Sequence, residues 1–525
     1  MILVVSVLAV VSGLIRVRDY VNDDAYISLR YASRLNDGRG LTWTDGERVE
    51  GFSNPLWVLE AAAAGAAGIP LVPAARWLGV VHLAALCFLL LRARVWPWVM
   101  LLIATHAGVI AWSVGGLETM AFATWLALGS YLAWRAAEEG RSPPRDAVAA
   151  AACFAAAALT RPEGLAAGLL ALSPMVVRCR RRGRPLRPHE IAWVAAVFAL
   201  PLVSYEVFRV AYYGDALPNV AYAKGMGIPF GRRWASAIEY LGRNGVLWAP
   251  AVASLLVVMV GTAARSAAWV LLPAAAPLAG IFFAAGDYMP FGRLLVPVVV
   301  LVVLAAGLAG PGLRPAFERP AAWIVCLAAL AQGAAFLLTP VGRDSAASVG
   351  APVGRFLERN LAAGSLVALA TAGSTPFHAP SLRFLDTVGL NDRHIARQPV
   401  GPVVTRLQHA SGHFKGDGSY VLSRRPDVIV LGPAEGYSGN PPDAWFLSDY
   451  QLLTSDEFRR EYRPFDFAVP VDALESRRPR VKEVLLPGTP AIRFVAYLRL
   501  DSRAAYELAR HGRLIAAPWE GRPDR

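Results

Sequence analysis

A succession of apolar segments fills residues 1–340 of this 525-residue chain. Stretches rich in alanine, leucine and valine alternate there with short polar loops, whereas residues 341–525 have an ordinary globular composition. Charged residues make up only 17% of the chain, against roughly a quarter in soluble domains. The sequence therefore predicts a polytopic α-helical membrane domain over residues 1–340 and a water-soluble domain over residues 341–525.

The apolar segments predict about eleven transmembrane helices. Several are shorter than the roughly 20 residues of a full span, so tilting or extension into the polar flanks is expected. A further apolar stretch, residues 55–69, is interpreted as an interfacial helix, because a span there would break the charge pattern described next. The predicted spans lie near residues 1–15, 73–91, 95–113, 117–134, 147–160, 164–177, 190–212, 246–262, 267–285, 293–310 and 321–339.

Arginine clusters set the predicted orientation of these helices. The formal net charge is +13, and the densest cluster, within residues 178–187, directly follows an apolar segment. Such clusters mark cytoplasmic loops. No nucleic-acid-binding motif accompanies the charge, so binding to nucleic acid is not expected. With a cytoplasmic N-terminus and eleven spans, the first outer loop, residues 16–54, and the soluble domain both lie outside the plasma membrane.

Residues 341–525 predict a mixed α/β fold. Val353–Leu361 has helical periodicity. Four histidines in this region fit no zinc-binding spacing and are interpreted as ordinary residues: His378, His394, His409 and His413. Short apolar runs suit buried strands: Leu366–Ala370, Asp427–Gly432 and Ile492–Leu500.

Asp23 and Asp24 are neighbouring carboxylates just after the first predicted helix. Transfer of a sugar to a hydroxyl requires a general base that takes the hydroxyl proton as the oxygen attacks the anomeric carbon. A partly desolvated carboxylate at the membrane–water boundary suits this role, and two neighbours could also hold a divalent cation. The alternative is that both residues cap a helix beginning near Ala25.

Further acidic residues of the membrane half fall on the predicted outer face. Charges at helix ends are costly against lipid, so they are expected to line a water-filled cavity. Scattered loops that converge on one cavity are typical of an active site. With Asp23 and Asp24, the residues concerned are Glu50, Glu118, Glu163, Asp215 and Asp287.

Several runs, in order, resemble motifs of the GT-C superfamily of glycosyltransferases, which use polyprenyl-phosphate sugars. The likeness is strongest to the AftB-type arabinofuranosyltransferases of the mycobacterial cell wall. Each run is weak alone, but their common order is hard to obtain by chance. The runs are Asp23–Ala32, Glu50–Asn54, Gly116–Thr119, Leu159–Gly164, Tyr212–Lys224, Gly286–Arg293 and Asp386–Asp392.

The resemblance implies an inverting membrane glycosyltransferase. It would pass a sugar, in this family arabinofuranose, from a polyprenyl-phosphate donor to a hydroxyl of a cell-envelope polysaccharide. Asp23 or Asp24 would be the base, with Asp23 preferred because it matches the position used across related superfamilies. The outer domain would bind or orient the acceptor, and membrane lipids would surround the helices.

Three cations on the outer face are candidates for binding the donor phosphate, because charge-assisted hydrogen bonds to phosphate are strong. They are Lys224, Arg161 and Arg293. Arg161 could instead pair internally with Glu163 or Glu118. Lys224 could be solvated, and Arg293 could reach from a helix start to the interface.

Sugars are held by carboxylates, amides and aromatic faces. Aromatic residues at this depth could instead anchor the protein at the membrane interface. His106 lies in the outer half of a predicted span, where packing against Ser113 or a backbone carbonyl is the alternative. The candidates for the sugar and acceptor cavity are Tyr26, Glu50, Asn54, His106, Glu118, Glu163, Asp215, Asn219 and Asp287.

Two other functions are weighed against this one. A transporter or flippase of a lipid-linked sugar would place its functional charges at mid-bilayer and show inverted repeats, whereas here the charges cluster at one face. A non-catalytic envelope scaffold would tolerate replacement of Asp23 and Asp24 by asparagine.

Overall fold

The computed structural model of the chain describes residues 1–139, 143–259, 267–339, 341, 344–401, 403–408, 410–473, 475–477 and 479–519. The predicted domain boundary near residue 340, the end of the predicted span 246–262, and His409 lie outside the described residues.

Helices occupy the membrane half, and each predicted apolar segment overlaps at least one of them. Three-ten helices cover Trp269–Ala274, Pro290–Leu295 and Gly310–Gly312. The α-helices are α1 Ile2–Arg16, α2 Asp23–Asn36, α3 Pro55–Ala66, α4 Leu71–Arg92, α5 Val99–Thr105, α6 Ala107–Trp112, α7 Thr119–Glu138, α8 Pro143–Thr160, α9 Glu163–Arg181, α10 Pro188–Tyr213, α11 Asn219–Lys224, α12 Phe230–Arg243, α13 Gly245–Val258, α14 Ala275–Phe283, α15 Val296–Ala309 and α16 Pro315–Leu338.

The surface of this half identifies a helical membrane protein. Large apolar side chains such as Trp193, Leu200 and Val207 are exposed along α10, and water-soluble proteins rarely expose apolar patches of this extent. In contrast, α15 is buried along its whole length. Among the described residues, four stretches are long and apolar enough to cross a membrane: Leu71–Arg92, Pro188–Tyr213, Pro290–Gly312 and Pro315–Leu338.

A fifth candidate span is broken near the predicted outer face. Ala107–Val114 and Thr119–Glu138 pass the same test together but are bent by 118°. Gly116 adopts a φ of 84° in this bend, a conformation that favours glycine. The bend places Glu118 at the start of α7.

The C-terminal part of the chain, which we call the outer domain after its predicted location, contains a mixed sheet. The strands of the described part are β1 Leu366–Leu369, β2 Arg383–Asp386, β3 Val428–Val430, β4 Tyr462–Pro470, β5 Ala491–Arg499 and β6 Gly512–Leu514. Their order is β2-β1-β3-β5-β4-β6; β1 pairs in parallel with β2 and β3, and the other pairs are antiparallel. The helices are α17 Ser345–Asn360, α18 Ser374–Phe377, α19 Arg393–Ala396, α20 Gly418–Ser423, α21 Leu447–Thr454, α22 Asp456–Glu461, α23 Pro479–Glu483 and α24 Arg503–Ala509, with three-ten turns at Pro441–Asp443 and Glu475–Arg477.

The first outer loop is folded into this domain. Trp43 and Phe52 belong to the same hydrophobic core as Phe384 and Phe494 of the sheet. The buried Arg30 of α2 donates from Nε to the carbonyl of Trp43 at 2.7 Å, from Nη2 to that of Leu382 at 3.3 Å, and from Nη1 to that of Pro376. A buried guanidinium is tolerated because carbonyl oxygens replace its lost water. The loop and the outer domain therefore share one packed interior.

Candidate active site

A cavity of about 500 Å³ lies where the outer loops of the membrane half meet. We call it the membrane-side cavity. Its wall is largely apolar, with Ile27, Leu217 and Phe283 among its lining residues. Charged residues from several loops also line it: Asp24, Glu118, Arg161, Glu163, Lys224, Asp287 and Arg293.

Asp24 and Lys224 form an ion pair in this wall. Asn22 caps α2, and its Oδ1 accepts from the backbone N–H of Asp24 at 3.0 Å, so Asp24 lies in the first turn, where the helix dipole favours a carboxylate. Lys224, the last residue of α11, places its Nζ 3.3 Å from Oδ2 of Asp24. Burial raises the pKa of Asp24, but Lys224 and Arg293 outweigh it and bring that pKa below its usual value. Asp24 is therefore ionised near neutral pH.

Arg161 adopts the internal pairing that the sequence left open. Its Nη1 lies 2.9 Å from Oε1 of Glu118, and its Nη2 lies 2.9 Å from Oε1 of Glu163. Asn54 donates to Oε2 of Glu118 at 2.8 Å and accepts from Ser28 Oγ at 3.2 Å. Arg161 thus holds two carboxylates in the wall of the cavity.

Arg293 approaches the same cavity through a tight turn. Phe291 and Gly292 have φ values of 61° and 58° before α15 begins. This turn allows Nε of Arg293 to bind Oδ2 of Asp287 at 2.9 Å. The guanidinium also lies over the ring of Trp112, 5.7 Å from its centroid. The hydrogen bond to Asp287 is donated by Nε.

Asp23 points to the outer domain. Its Oδ1 accepts from the backbone N–H of Ser374 at 2.7 Å, and its Oδ2 from that of Gly373 at 3.1 Å. The backbone N–H of Asp23 donates to Oδ2 of Asp344 at 2.9 Å, and Asp344 caps α17. Burial, and then the nearby Asp344, raise the pKa of Asp23. Contrary to the preference drawn from the sequence, the geometry favours Asp24 as the carboxylate that faces the membrane-side cavity.

Two of the predicted cavity residues tie the first loop and α11 to other elements. Glu50 accepts from Tyr205 Oη at 2.6 Å and from Arg209 Nε at 2.7 Å, so it anchors the loop to α10. Asn219 donates to the carbonyls of Gly389 and Leu390 at 2.9 and 3.0 Å. Neither Glu50 nor Asn219 is among the residues that line the membrane-side cavity, and a role for them in binding the sugar stays a prediction.

Three other predicted residues are also absent from the lining of the membrane-side cavity. The two oxygens of Asp215 lie 3.0 and 2.8 Å from Arg393 and Arg397 on the surface. Tyr26 packs its ring on Phe377 of α18, 5.4 Å between centroids. His106 accepts from the N–H of Val109 through Nδ1 at 3.1 Å, and its Nε2 lies 3.0 Å from the carbonyl of Leu247. These residues stabilise loops and helix ends outside the cavity.

A second cavity, of about 180 Å³, is also lined by Asp24. We call it the outer-domain cavity. It shares Asp24, Ile27, Lys224, Leu390 and Ser411 with the membrane-side cavity. Its other lining residues include Asp23, Tyr288, Asp344, His413, Trp445 and Phe446.

Most of these outer-domain residues were missed from the sequence. Tyr288 belongs to the run Gly286–Arg293, so that run could have indicated it. His413 was interpreted as ordinary, but it lies in this cavity. Asp344 and Trp445 belong to no recognised motif, and only the folded outer domain brings them here. Among the described residues, no group of three or more His, Cys, Asp or Glu side chains is arranged to hold a metal ion.

Comparison with known proteins bears on both halves of the chain. Residues 342–480 match a family model described as a domain of unknown function, DUF8728. Over 314 residues the chain is 27% identical to the terminal beta-(1->2)-arabinofuranosyltransferase of Mycobacterium tuberculosis strain H37Rv, a match that covers 55% of this chain. The match spans 47% of that relative's length.

Solved structures of ArnT from Cupriavidus metallidurans have a similar fold. The form bound to undecaprenyl phosphate aligns with a TM-score of 0.50 and 13% identity, covering 73% of this chain and 85% of ArnT. The apo form aligns with the same score over 74% and 86%. The expectation of a GT-C fold and a likeness to arabinofuranosyltransferases is confirmed: the chain is a helical membrane protein of the ArnT-like GT-C fold, similar in sequence to an arabinofuranosyltransferase.

Proposed function

We propose that this chain is a membrane glycosyltransferase that moves a sugar from a polyprenyl-phosphate donor to a hydroxyl of a cell-envelope glycan. The observation that carries the proposal is the Asp24–Lys224 pair, 3.3 Å apart, in the wall of a 500 Å³ cavity. The name of the mycobacterial relative favours arabinofuranose as the sugar, and the undecaprenyl phosphate of the ArnT structure favours a polyprenyl-phosphate donor.

In the proposed reaction, the acceptor hydroxyl gives its proton to Asp24 while its oxygen attacks the anomeric carbon of the donor sugar. The bond between that carbon and the phosphate oxygen breaks, and polyprenyl phosphate leaves with the bonding electron pair. The proton then passes from Asp24 to water. One displacement with a single base inverts the anomeric configuration.

The donor phosphate would bind beside Lys224. An ammonium group has three N–H donors, and the ion pair with Asp24 engages one carboxylate oxygen. Arg293 adds a second cation across the cavity, and both would stabilise the charge that develops on the leaving phosphate. Arg161 would position Glu118 and Glu163, which shape the cavity. The apolar wall, including Phe283 and Leu217, would receive the lipid chain.

The membrane topology belongs to the same proposal. We assign residues 1–340 to a domain of about eleven spans and residues 341–525 to an extracytoplasmic α/β domain. The N-terminus would lie in the cytoplasm, because the arginine-rich loop after α9 is typical of a cytoplasmic loop. The two cavities would then face the outside of the plasma membrane, where a lipid-borne sugar meets its acceptor.

The test is a transfer assay with the full-length protein in detergent or nanodiscs. Purified protein is incubated with radiolabelled polyprenyl-phosphate pentoses and hexoses and with an oligosaccharide acceptor. Asp24→Asn keeps the shape of the side chain but removes the base, so turnover is expected to fall by about 10²- to 10⁴-fold.

Asp37→Asn is the matched control, because Asp37 is an exposed carboxylate at the other end of α2. Its turnover should equal that of the wild type. Full activity in Asp24→Asn would exclude Asp24 as the base. Absence of any product from the wild-type protein with every donor would contradict the transferase itself.

A further inference from the structure

The two cavities meet at one pair of side chains. Asp24 and Lys224 line both, so a group in the outer-domain cavity and a group in the membrane-side cavity can approach the same carboxylate. A transferase of the proposed kind needs two reactants that converge in this way. The membrane-side cavity suits the lipid donor, which leaves the outer-domain cavity for the acceptor.

An aromatic wall lines the outer-domain cavity. The rings of Tyr288 and His413 lie 5.1 Å apart at 62°, and the ring of Phe446 lies 5.4 Å from that of His413. Trp445 lies beside them. Sugar rings present C–H groups to such faces and turn their hydroxyls to polar groups at the edge.

The polar lining of this cavity is acidic. Asp23, Asp24 and Asp344 contribute carboxylates, and Lys224 contributes an ammonium group. A carboxylate has about four sites that accept hydrogen bonds. Asp23 uses two of them on backbone N–H groups, so it can also accept sugar hydroxyls, whereas Asp344 already accepts four hydrogen bonds. Asp24 is ionised, and its negative charge in this lining disfavours an anionic ligand.

The size of the cavity limits its occupant further. A volume of about 180 Å³ is below the roughly 300–1,000 Å³ of sites that enclose a whole small-molecule ligand. It therefore suits one ring and excludes a nucleotide or a lipid chain.

We infer that the outer-domain cavity binds a single neutral sugar ring at the end of the acceptor glycan, with its attacking hydroxyl towards Asp24. Tyr288 and His413 supply the stacking wall. The identification of this ring as part of the acceptor rests on the proposed function. The binding of a neutral sugar is argued from the cavity alone.

The first experiment measures binding without donor. Full-length protein in nanodiscs is titrated with a neutral pentose-terminated oligosaccharide and with a matched oligosaccharide that ends in a uronic acid. Wild type is expected to bind the neutral glycan in preference to the acidic one. Tyr288→Ala and His413→Ala should each weaken binding about tenfold, by loss of ring contacts, and Tyr288→Phe should recover it.

Tyr506→Ala is the matched control, because Tyr506 is an exposed aromatic residue on α24, outside both cavities. Gel filtration and thermal melting verify that each variant is folded. The inference is overturned if the wild type prefers the acidic glycan. It is also overturned if both folded cavity variants bind the neutral glycan with unchanged affinity.

The second experiment adds the donor. The acceptor KM should rise about tenfold in Tyr288→Ala and His413→Ala, with the donor KM unchanged. If the wild type binds the neutral glycan but transfers no sugar, the proposed function fails while the sugar site stands. If the wild type transfers sugar and neither variant changes the acceptor KM, the inference fails while the proposed function stands.

Discussion

The two cavities that meet at Asp24 hold their charges in different ways. On the membrane side, carboxylates pair with side-chain cations, as in Arg293–Asp287 at 2.9 Å. On the outer-domain side, Asp23 and Asp344 accept backbone N–H groups of the segments around them. A cation in a side-chain ion pair can release its carboxylate and bind an incoming phosphate. A carboxylate bound to backbone N–H groups instead fixes the position of the main chain.

This difference separates two neighbouring carboxylates by role. Asp24 faces a cation that a substrate can reach, and Asp23 clamps α2 to the turn that carries Gly373 and Ser374. A Cβ at Gly373 would overlap the carbonyl of Asp23, so the clamp depends on this close approach. In the proposed mechanism, Asp24 therefore serves the chemistry, while Asp23 holds α2 against the outer domain.

After Asp24→Asn, the largest effect is expected from Lys224→Met, which breaks the membrane-side pair. Loss of one cation at the leaving phosphate should lower kcat about 10²- to 10³-fold. Lys224 lowers the pKa of Asp24, so that pKa should rise in the variant. Asp24 acts when ionised, and activity is lost as the pH falls through its pKa. The acid limb of the kcat/KM profile should therefore move to higher pH.

Arg232→Met is the control for this variant, because it removes a cation of α12 that lines neither cavity. Its acid limb should coincide with that of the wild type. If the acid limb does not shift in Lys224→Met, Lys224 does not control the pKa of Asp24. The contrast between the two cavities would then lose its electrostatic basis.

A smaller effect on turnover, but a clear one on stability, is expected from Asp23→Asn. The amide can no longer accept from both Gly373 and Ser374, and a buried N–H left without its partner costs about 1–3 kcal/mol. Thermal melting should show the lower free energy of unfolding, and turnover should fall far less than in Asp24→Asn. A variant with wild-type stability and no activity would reverse the roles of the two aspartates.

The smallest effect is expected from Asp215→Asn. Asp215 pairs with Arg393 and Arg397 near the surface, where such pairs contribute about 0–1 kcal/mol. Melting temperature and both KM values should stay close to those of the wild type. A large rise in the donor KM would instead support the prediction from the sequence that Asp215 lines the cavity.

Much of the fold follows from the sequence, because burial leaves a local pattern. The strands β1, β3 and β5 coincide with apolar runs that were predicted. In contrast, β4, Tyr462–Pro470, mixes charged residues and prolines with apolar ones, and its residues alternate between buried and partly exposed positions. No short apolar run in the sequence indicates β4. Its place in the sheet becomes apparent from its pairing with β5.

The site could be predicted where motif residues face the cavity, as Asp24, Lys224 and Arg293 do. The same runs also contain Glu50 and Asn219, which hold the loops together instead. A motif does not indicate which of its polar residues carries the chemistry and which supports the backbone. That distinction depends on partners far along the chain, such as Gly373 for Asp23.

The shared interior of the first outer loop and the outer domain constrains how the protein is made. Arg30 bonds to Pro376, 346 residues further along the chain. Synthesis proceeds from the N-terminus, so α2 and its two aspartates are made long before their partners in the outer domain. The cavities around Asp24 therefore form only after most of the polypeptide has been synthesised, and a product truncated before residue 373 would lack the backbone partners of Asp23.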